Sequence, residues 1–288
     1  MQFYTQSSLE KIKCELCGHL CNLKPDQMGI CGVNKNTGSK IECLVYGYPN
    51  AIHVDPIEKK PLYHFLPKTK TFSIGTVGCN FRCSFCQNWQ LSQTSTINKQ
   101  HYYKPEDIVK LALHYDCKSI SYTYNEPTIF YPYIFDIASK AHKNGLKNIM
   151  VTNGFQSHKV RESMIGLIDA INVDLKSFDP KYYKKNLGGK LEVILDNLKF
   201  FASKPIHMEL TTLIVPTHND SNEMIEQIAS FVANELGVHI PWHLSAFHPA
   251  YKEQKIKRTP IETLLKAKSI ANKYKIQNIH LGNVGIIQ

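Results

Sequence analysis

The densest chemistry in the chain lies in residues 78–89, Gly-Cys-Asn-Phe-Arg-Cys-Ser-Phe-Cys-Gln-Asn-Trp, where Cys79, Cys83 and Cys86 are spaced to hold three corners of an iron–sulfur cube. A [4Fe–4S] cluster ordinarily takes four thiolates. Three leave one iron with an open position, as a catalytic metal site does. Structural zinc closes its shell with four ligands, and no fourth Cys or His stands at local spacing. The triplet therefore reads as a catalytic cluster.

A second set, Cys14-x2-Cys17-x3-Cys21-x9-Cys31, has the four thiols that a closed shell needs. Structural zinc, a saturated second iron–sulfur cluster and unmetallated thiols are the three readings it allows. Cys43 and Cys117 lack partners and read as small buried hydrophobes. The nine Cys stand in a chain whose start has no basic stretch followed by an apolar run. They read as metal or redox ligands in a reducing, oxygen-poor cytoplasm.

These residues need a scaffold. After residue 70, apolar runs at 71–77, 119–124, 148–152, 170–174, 207–215, 239–246 and 278–282 alternate with amphipathic stretches at 105–115, 132–144, 158–167, 191–202, 222–236 and 260–274. That alternation predicts repeated βα units. Conspicuous polar residues follow each strand: the triplet, Glu126, Asn153, Asp174 with Lys176, His218 to Asp220, His248 and Asn283. Such clustering marks the active mouth of an αβ-barrel. The expectation is an α/β fold: a partial (β/α) TIM-like barrel over 66–288 behind a small Cys-rich segment over 1–65. No apolar stretch approaches the ~20 residues that span a bilayer. The net charge of +10 is spread without a basic block, and no nucleic-acid motif accompanies it, so it reads as a Lys-rich solvated surface. His248 is a candidate for contact with a cofactor or a substrate anion, or for acid–base work; His243 reads as structural, and His218 to Asp220 as a helix cap.

The Cys-x3-Cys-x2-Cys run, with Phe85 before its last Cys, resembles the cluster motif of the radical S-adenosylmethionine (SAM) enzymes. The resemblance implies that the open iron binds the amino and carboxylate groups of SAM, and that one electron then yields methionine and a 5′-deoxyadenosyl radical. Glu126, in Tyr-Thr-Tyr-Asn-Glu-Pro-Thr, stands where the family's Gly-Gly-Glu motif ends the second strand, and is implied to hold the SAM amino group. Tyr124 and Asn125 replace the usual glycines. Asn153 resembles a ribose ligand in relatives of pyruvate formate-lyase activating enzyme. Asp174 and Lys176 resemble a pair near the SAM carboxylate or a bound cation there.

Together with Cys14 to Val33, the run Asp-Pro-Ile-Glu-Lys-Lys-Pro at 55–61 and Gly-Asn-Val at 282–284, these motifs are similar to the AmmeMemoRadiSam system radical SAM enzymes, homologues of pyruvate formate-lyase activating enzyme. That implies partners of the Memo and AMMECR families and a reductant such as ferredoxin or flavodoxin. Members continue past Gly-Asn-Val into a short Cys-containing tail, whereas this sequence stops at Gln288. Two alternatives stand beside hydrogen abstraction from an unspecified substrate. One is an activase that makes a glycyl radical, although no Cys lies between Cys86 and Cys117 to supply the ferredoxin-like insert of such activases. The other is a non-catalytic iron–sulfur or zinc protein that carries electrons or docks partners.

Overall fold

The expected strand–helix alternation builds one eight-stranded sheet in the computed structural model, which describes residues 2–8 and 10–284. Ahead of it, β1 (Tyr4–Ser8), β2 (Lys11–Cys14) and β3 (Asn22–Leu23) form a small antiparallel sheet, and β4 (Asn34–Asn36) and β5 (Ile41–Cys43) a hairpin. The large sheet holds β6 (Ala51–Pro56), β7 (Lys70–Gly75), β8 (Ser119–Tyr122), β9 (Lys147–Thr152), β10 (Ala170–Asp174), β11 (His207–Ile214), β12 (Trp242–Ala246) and β13 (Ile279–Gly282) in chain order. From β7 onward every pairing is parallel, and the order stays linear, so the barrel is partial. Helices α1 (Trp89–Ser92), α2 (Pro105–His114), α3 (Tyr131–Lys143), α4 (His158–Met164), α5 (Pro180–Tyr182), α6 (Leu191–Ala202), α7 (Asn222–Phe231) and α8 (Ile261–Lys273) lie between the strands.

Local chemistry sets the element ends. Pro105 opens α2, where a missing N–H costs nothing, and Asp107 accepts from the Lys104 N–H at 2.9 Å. Ser221 caps α7 by accepting from the Met224 N–H at 3.2 Å. Gly145 stops α3 at a φ of +76° that its missing Cβ permits. The sixth strand expected from 239 begins instead at Trp242, because the Ile240 N–H turns back to the Gly237 carbonyl. Apolar faces such as Ile134, Ile137, Ala138 and Ala141 of α3 are fully buried.

Strand β6 was not expected from the alternation. It pairs antiparallel with β7 at the edge of the sheet, carries exposed residues and ends in Pro56, so it lacks the apolar signature of a central strand. The segment that follows it seals the barrel interior at the N-terminal strand ends. Ile57 and Leu62 are fully buried with Ile149 and Ala170, the Pro61 carbonyl accepts from Asn172 at 2.7 Å, and the Tyr63 and His64 N–H groups donate to Glu209. Among the described residues, no helix is long and apolar enough to cross a membrane.

Candidate functional site

At the C-terminal strand ends lies a cavity of about 300 Å³, with Cys79, Cys83 and Cys86 in its wall together with Glu126, Asn153, Asp174 and Lys176. His248 is not in that wall; its Nε2 lies 3.2 Å from the carbonyl of Asn283, which is. His243 is buried against Glu209 at 2.6 Å, a structural position. Asn219 and Asp220 serve their own turn, accepting from the Val215 and Thr217 N–H groups.

The loop carrying the three thiols leaves β7 and is pinned from several sides. Asn125 accepts from the Thr76 N–H at 3.1 Å and donates to Thr76 Oγ1 at 3.0 Å and to the Gly78 carbonyl at 2.9 Å. Arg82 donates to the Cys79 carbonyl, and its N–H to the Leu187 carbonyl. The Phe81 N–H approaches Cys79 Sγ at 3.5 Å, and Ser92 Oγ lies 3.1 Å from Cys86 Sγ. Burial pushes the Cys83 thiol up to about 12 and Cys79 higher still. Without a cation they stay protonated; a metal supplies the charge that makes them thiolates.

Tyr124 occupies the left-handed region at φ +72°, a backbone state that glycine would adopt freely. Its hydroxyl is tied to Asp55 at 2.5 Å, and Lys60 lies 4.7 Å from its ring centre. Two residues on, Glu126 is buried and held by four donors. Oε1 accepts from the Thr128 N–H, Thr128 Oγ1 and Thr152 Oγ1, and Oε2 accepts from the Asn153 N–H at 2.7 Å. Burial raises its pKa, while these hydrogen bonds pull the other way. Oε2, with a single donor, retains acceptor capacity. Asn153 donates to Asn80 Oδ1 at 2.8 Å, joining the β9 loop to the thiol loop.

Lys176 donates to Asp174 at 2.8 Å. Burial opposes its charge, but Asp174 raises its pKa, so it is a fixed cation at the cavity wall. Among the wall residues to which the sequence reading gave no role are Lys59, Gln87, Asn88, Thr211 and Ser245. Alternation was the available signal. Glu209 and Thr211, like His243 and Ser245, stand at every second position of their strands, a polar row inside a barrel.

The donor set fits an iron–sulfur cluster with one open iron. Three free thiols from one loop share the cavity, and no fourth Cys and no His stands in its wall among the described residues. Residues 73–232 match the family described as the Radical SAM superfamily. The chain belongs to the radical SAM superfamily. An uncharacterized protein of Methanocaldococcus jannaschii is 38% identical over 98% of this chain and 84% of its own length. The pyruvate formate-lyase-activating enzyme of Clostridium pasteurianum is 23% identical over 58% of this chain and 72% of its own. The crystal structure of Streptococcus suis SuiB bound to S-adenosylmethionine shares the fold, with a TM-score of 0.57 and 17% identity over 73% of this chain and 49% of that one. Radical SAM membership implies a [4Fe–4S] cluster and SAM, and with them an enzyme.

Cys14, Cys17, Cys21 and Cys31 surround a second, small cavity beside Ile129. Among the described residues, no three or more His, Cys, Asp or Glu side chains converge as a single bound ion would need, the radical SAM triplet included. Cys117 is buried without a metal-type neighbour set, and Cys43 Sγ faces the Ile129 carbonyl at 3.8 Å.

Proposed function

We propose that this chain cleaves SAM reductively at a [4Fe–4S] cluster held by Cys79, Cys83 and Cys86, and uses the resulting radical to abstract hydrogen from a substrate in the same cavity. The observation that carries this reading is the shared wall: three thiols of one loop, a buried carboxylate, an amide and a fixed Asp174–Lys176 pair around about 300 Å³. When bound, the cluster supplies the one-electron cleavage of the SAM sulfonium. The protein's own part is positioning. Glu126 Oε2 is the acceptor for the SAM ammonium, Lys176 the cation for its carboxylate, and Asn153 the amide for its ribose. Asn80, Asn125 and Arg82 hold the loop so that these groups keep their spacing. The same wall also offers Gln87, Asn88, Thr211 and Ser245, neutral donors and acceptors suited to a polar substrate. A ferredoxin or flavodoxin of a reducing cytoplasm supplies the electron in this reading, and Memo or AMMECR proteins are its partners.

The test is anaerobic reconstitution with iron and sulfide, then chromatography for 5′-deoxyadenosine after adding SAM and a strong reductant. Formation that vanishes in Cys83→Ala is the expected result; none from a fully loaded chain sinks the reading. Likeness to activating enzymes supports a second reading, that the hydrogen comes from a glycine of a partner protein. A glycyl radical signal in a co-purified partner, seen by electron paramagnetic resonance, separates the two.

A further inference from the structure

The four-Cys segment touches three of the loops that build the cavity: the thiol loop, the loop of Asn153 and the turn after Glu126. A Cβ on Gly78, just before Cys79 and at φ +87°, would lie 2.6 Å from the Cys31 carbonyl, so the two loops meet at backbone contact. Arg82 bridges them, donating to the Ile30 carbonyl at 2.6 Å and to the Cys79 carbonyl at 2.9 Å. His19 Nε2 lies 2.9 Å from the Asn80 carbonyl, inside the thiol loop. The β9 loop that carries Asn153 is fastened too: the Gly18 N–H donates to the Phe155 carbonyl at 2.9 Å, Cys17 bridges Gln156, and the Ser157 N–H donates to the Leu16 carbonyl. The turn after Glu126 is reached by Asn34, which donates to the Ile129 carbonyl at 2.7 Å and to Cys31 Sγ at 3.3 Å.

Seven or more contacts of this kind hang on a segment whose strands are two to five residues long. So short a fold cannot bury a core of its own, and natural examples close with a metal. The four thiols surround one enclosed cavity, none is in a disulfide, and all four lie between the contacts just named. We infer that Cys14, Cys17, Cys21 and Cys31, which do not converge as a single ion would need, hold a saturated iron–sulfur cluster, and that its occupancy splints three loops of the SAM site. The identity of those loops rests on the proposed function; the metal and the splint do not.

The test uses the full chain, purified anaerobically, with zinc, iron and sulfide counted and amide hydrogen exchange followed over residues 76–88 and 153–157. The expected result is metal beyond the four irons of one cluster: about four further irons with matching sulfide, whereas one zinc in their place overturns the cluster. Cys17→Ser with Cys21→Ser should lose that extra metal, and exchange at 78–82 and 155–157 should rise about tenfold or more. Wild-type chain without extra metal overturns the proposal, as does a double variant that loses the metal with unchanged exchange. Arg82→Met guards against simple misfolding. It leaves both thiol sets intact, so the extra metal should stay while exchange at 78–82 rises about tenfold; unchanged exchange there means the segment is no splint. None of these readouts requires SAM cleavage, so failure of the radical reading and failure of the splint are separable.

Discussion

The Tyr124 hydroxyl donates to Asp55 Oδ2 at 2.5 Å while the Tyr124 backbone stands at φ +72°. A left-handed non-glycine residue costs about 1–2 kcal/mol, and the side chain offsets it by locking onto a buried anion. Burial would raise the Asp55 pKa, but hydrogen bonds from Lys60, Tyr124 and Lys59 hold it well below the usual carboxylate range. The Asp-Pro-Ile-Glu-Lys-Lys-Pro run therefore holds the turn before Glu126 from two strands away in the same sheet. Tyr124→Phe keeps the ring and removes the hydroxyl, and should lower stability by about 1.5–3 kcal/mol, read as a lower urea midpoint with an unchanged slope. An unchanged midpoint would mean that the hydroxyl does not hold the turn.

Asn125 makes a sharper case. It replaces a glycine of the family motif, and its amide satisfies the Thr76 N–H, Thr76 Oγ1 and the Gly78 carbonyl together. Asn125→Ala strands buried groups at the base of the thiol loop, for a loss of about 3 kcal/mol. Reconstituted variant should also hold fewer irons per chain than wild type, since the loop that presents Cys79 is no longer fixed. Full iron retention with wild-type stability would show that the loop is set by other contacts.

These two residues show where sequence reasoning reaches its limit. The thiol triplet is legible because its ligands are local: three residues of one type at fixed spacing need no partner from elsewhere in the chain. The partial barrel is legible because β10 and α6 carry their periodicity in unbroken runs. The cradle of Glu126 is not, since its donors Thr152 and Asn153 sit on the next strand and their contact depends on parallel register. Nor is β6, whose partner β7 supplies the structure that its own polar residues do not announce. Departures from a family motif, such as Tyr124 and Asn125, are visible as departures; what compensates them lies in residues 47 or more positions away.

Glu126→Gln distinguishes a cap from a ligand. The carboxylate meets four donors, two of them backbone N–H groups that cannot turn away, so an amide must set an NH2 against at least one donor or leave it unmade. Stability should fall by about 2 kcal/mol. If Oε2 also receives the SAM ammonium, the SAM dissociation constant should rise at least about tenfold when measured by calorimetry on folded, loaded variant. A stability loss with unchanged SAM affinity would reduce Glu126 to the cap of the turn at Pro127–Phe130.

The sealed end of the barrel should give the protein a distinctive acid response. Burial alone would raise Glu209, but hydrogen bonds from His207, His243 and the His64 and Tyr63 N–H groups bring its pKa from 4.5 to about 2. Its contribution is present above pH 4.5 and is lost as pH falls toward 2, because the unfolded carboxylate takes up its proton first; the shift corresponds to about 3 kcal/mol at most. Burial, with His243 and His64 beside it, lowers His280 from 6.5 to about 4, so the unfolded ring protonates first and stability also falls as pH drops from 6.5 to 4. Both effects have the same sign. Urea midpoints should therefore be flat above pH 7 and decline steadily below 6.5. Glu209→Gln should be less stable at pH 7 yet lose less on further acidification below pH 4.5. His280→Asn should flatten the limb between pH 6.5 and 4.5. A Glu209→Gln variant as acid-sensitive as wild type below pH 4.5 would place the response in other carboxylates, and the polar seal formed by Tyr63, His64 and Glu209 would then be a packing feature alone.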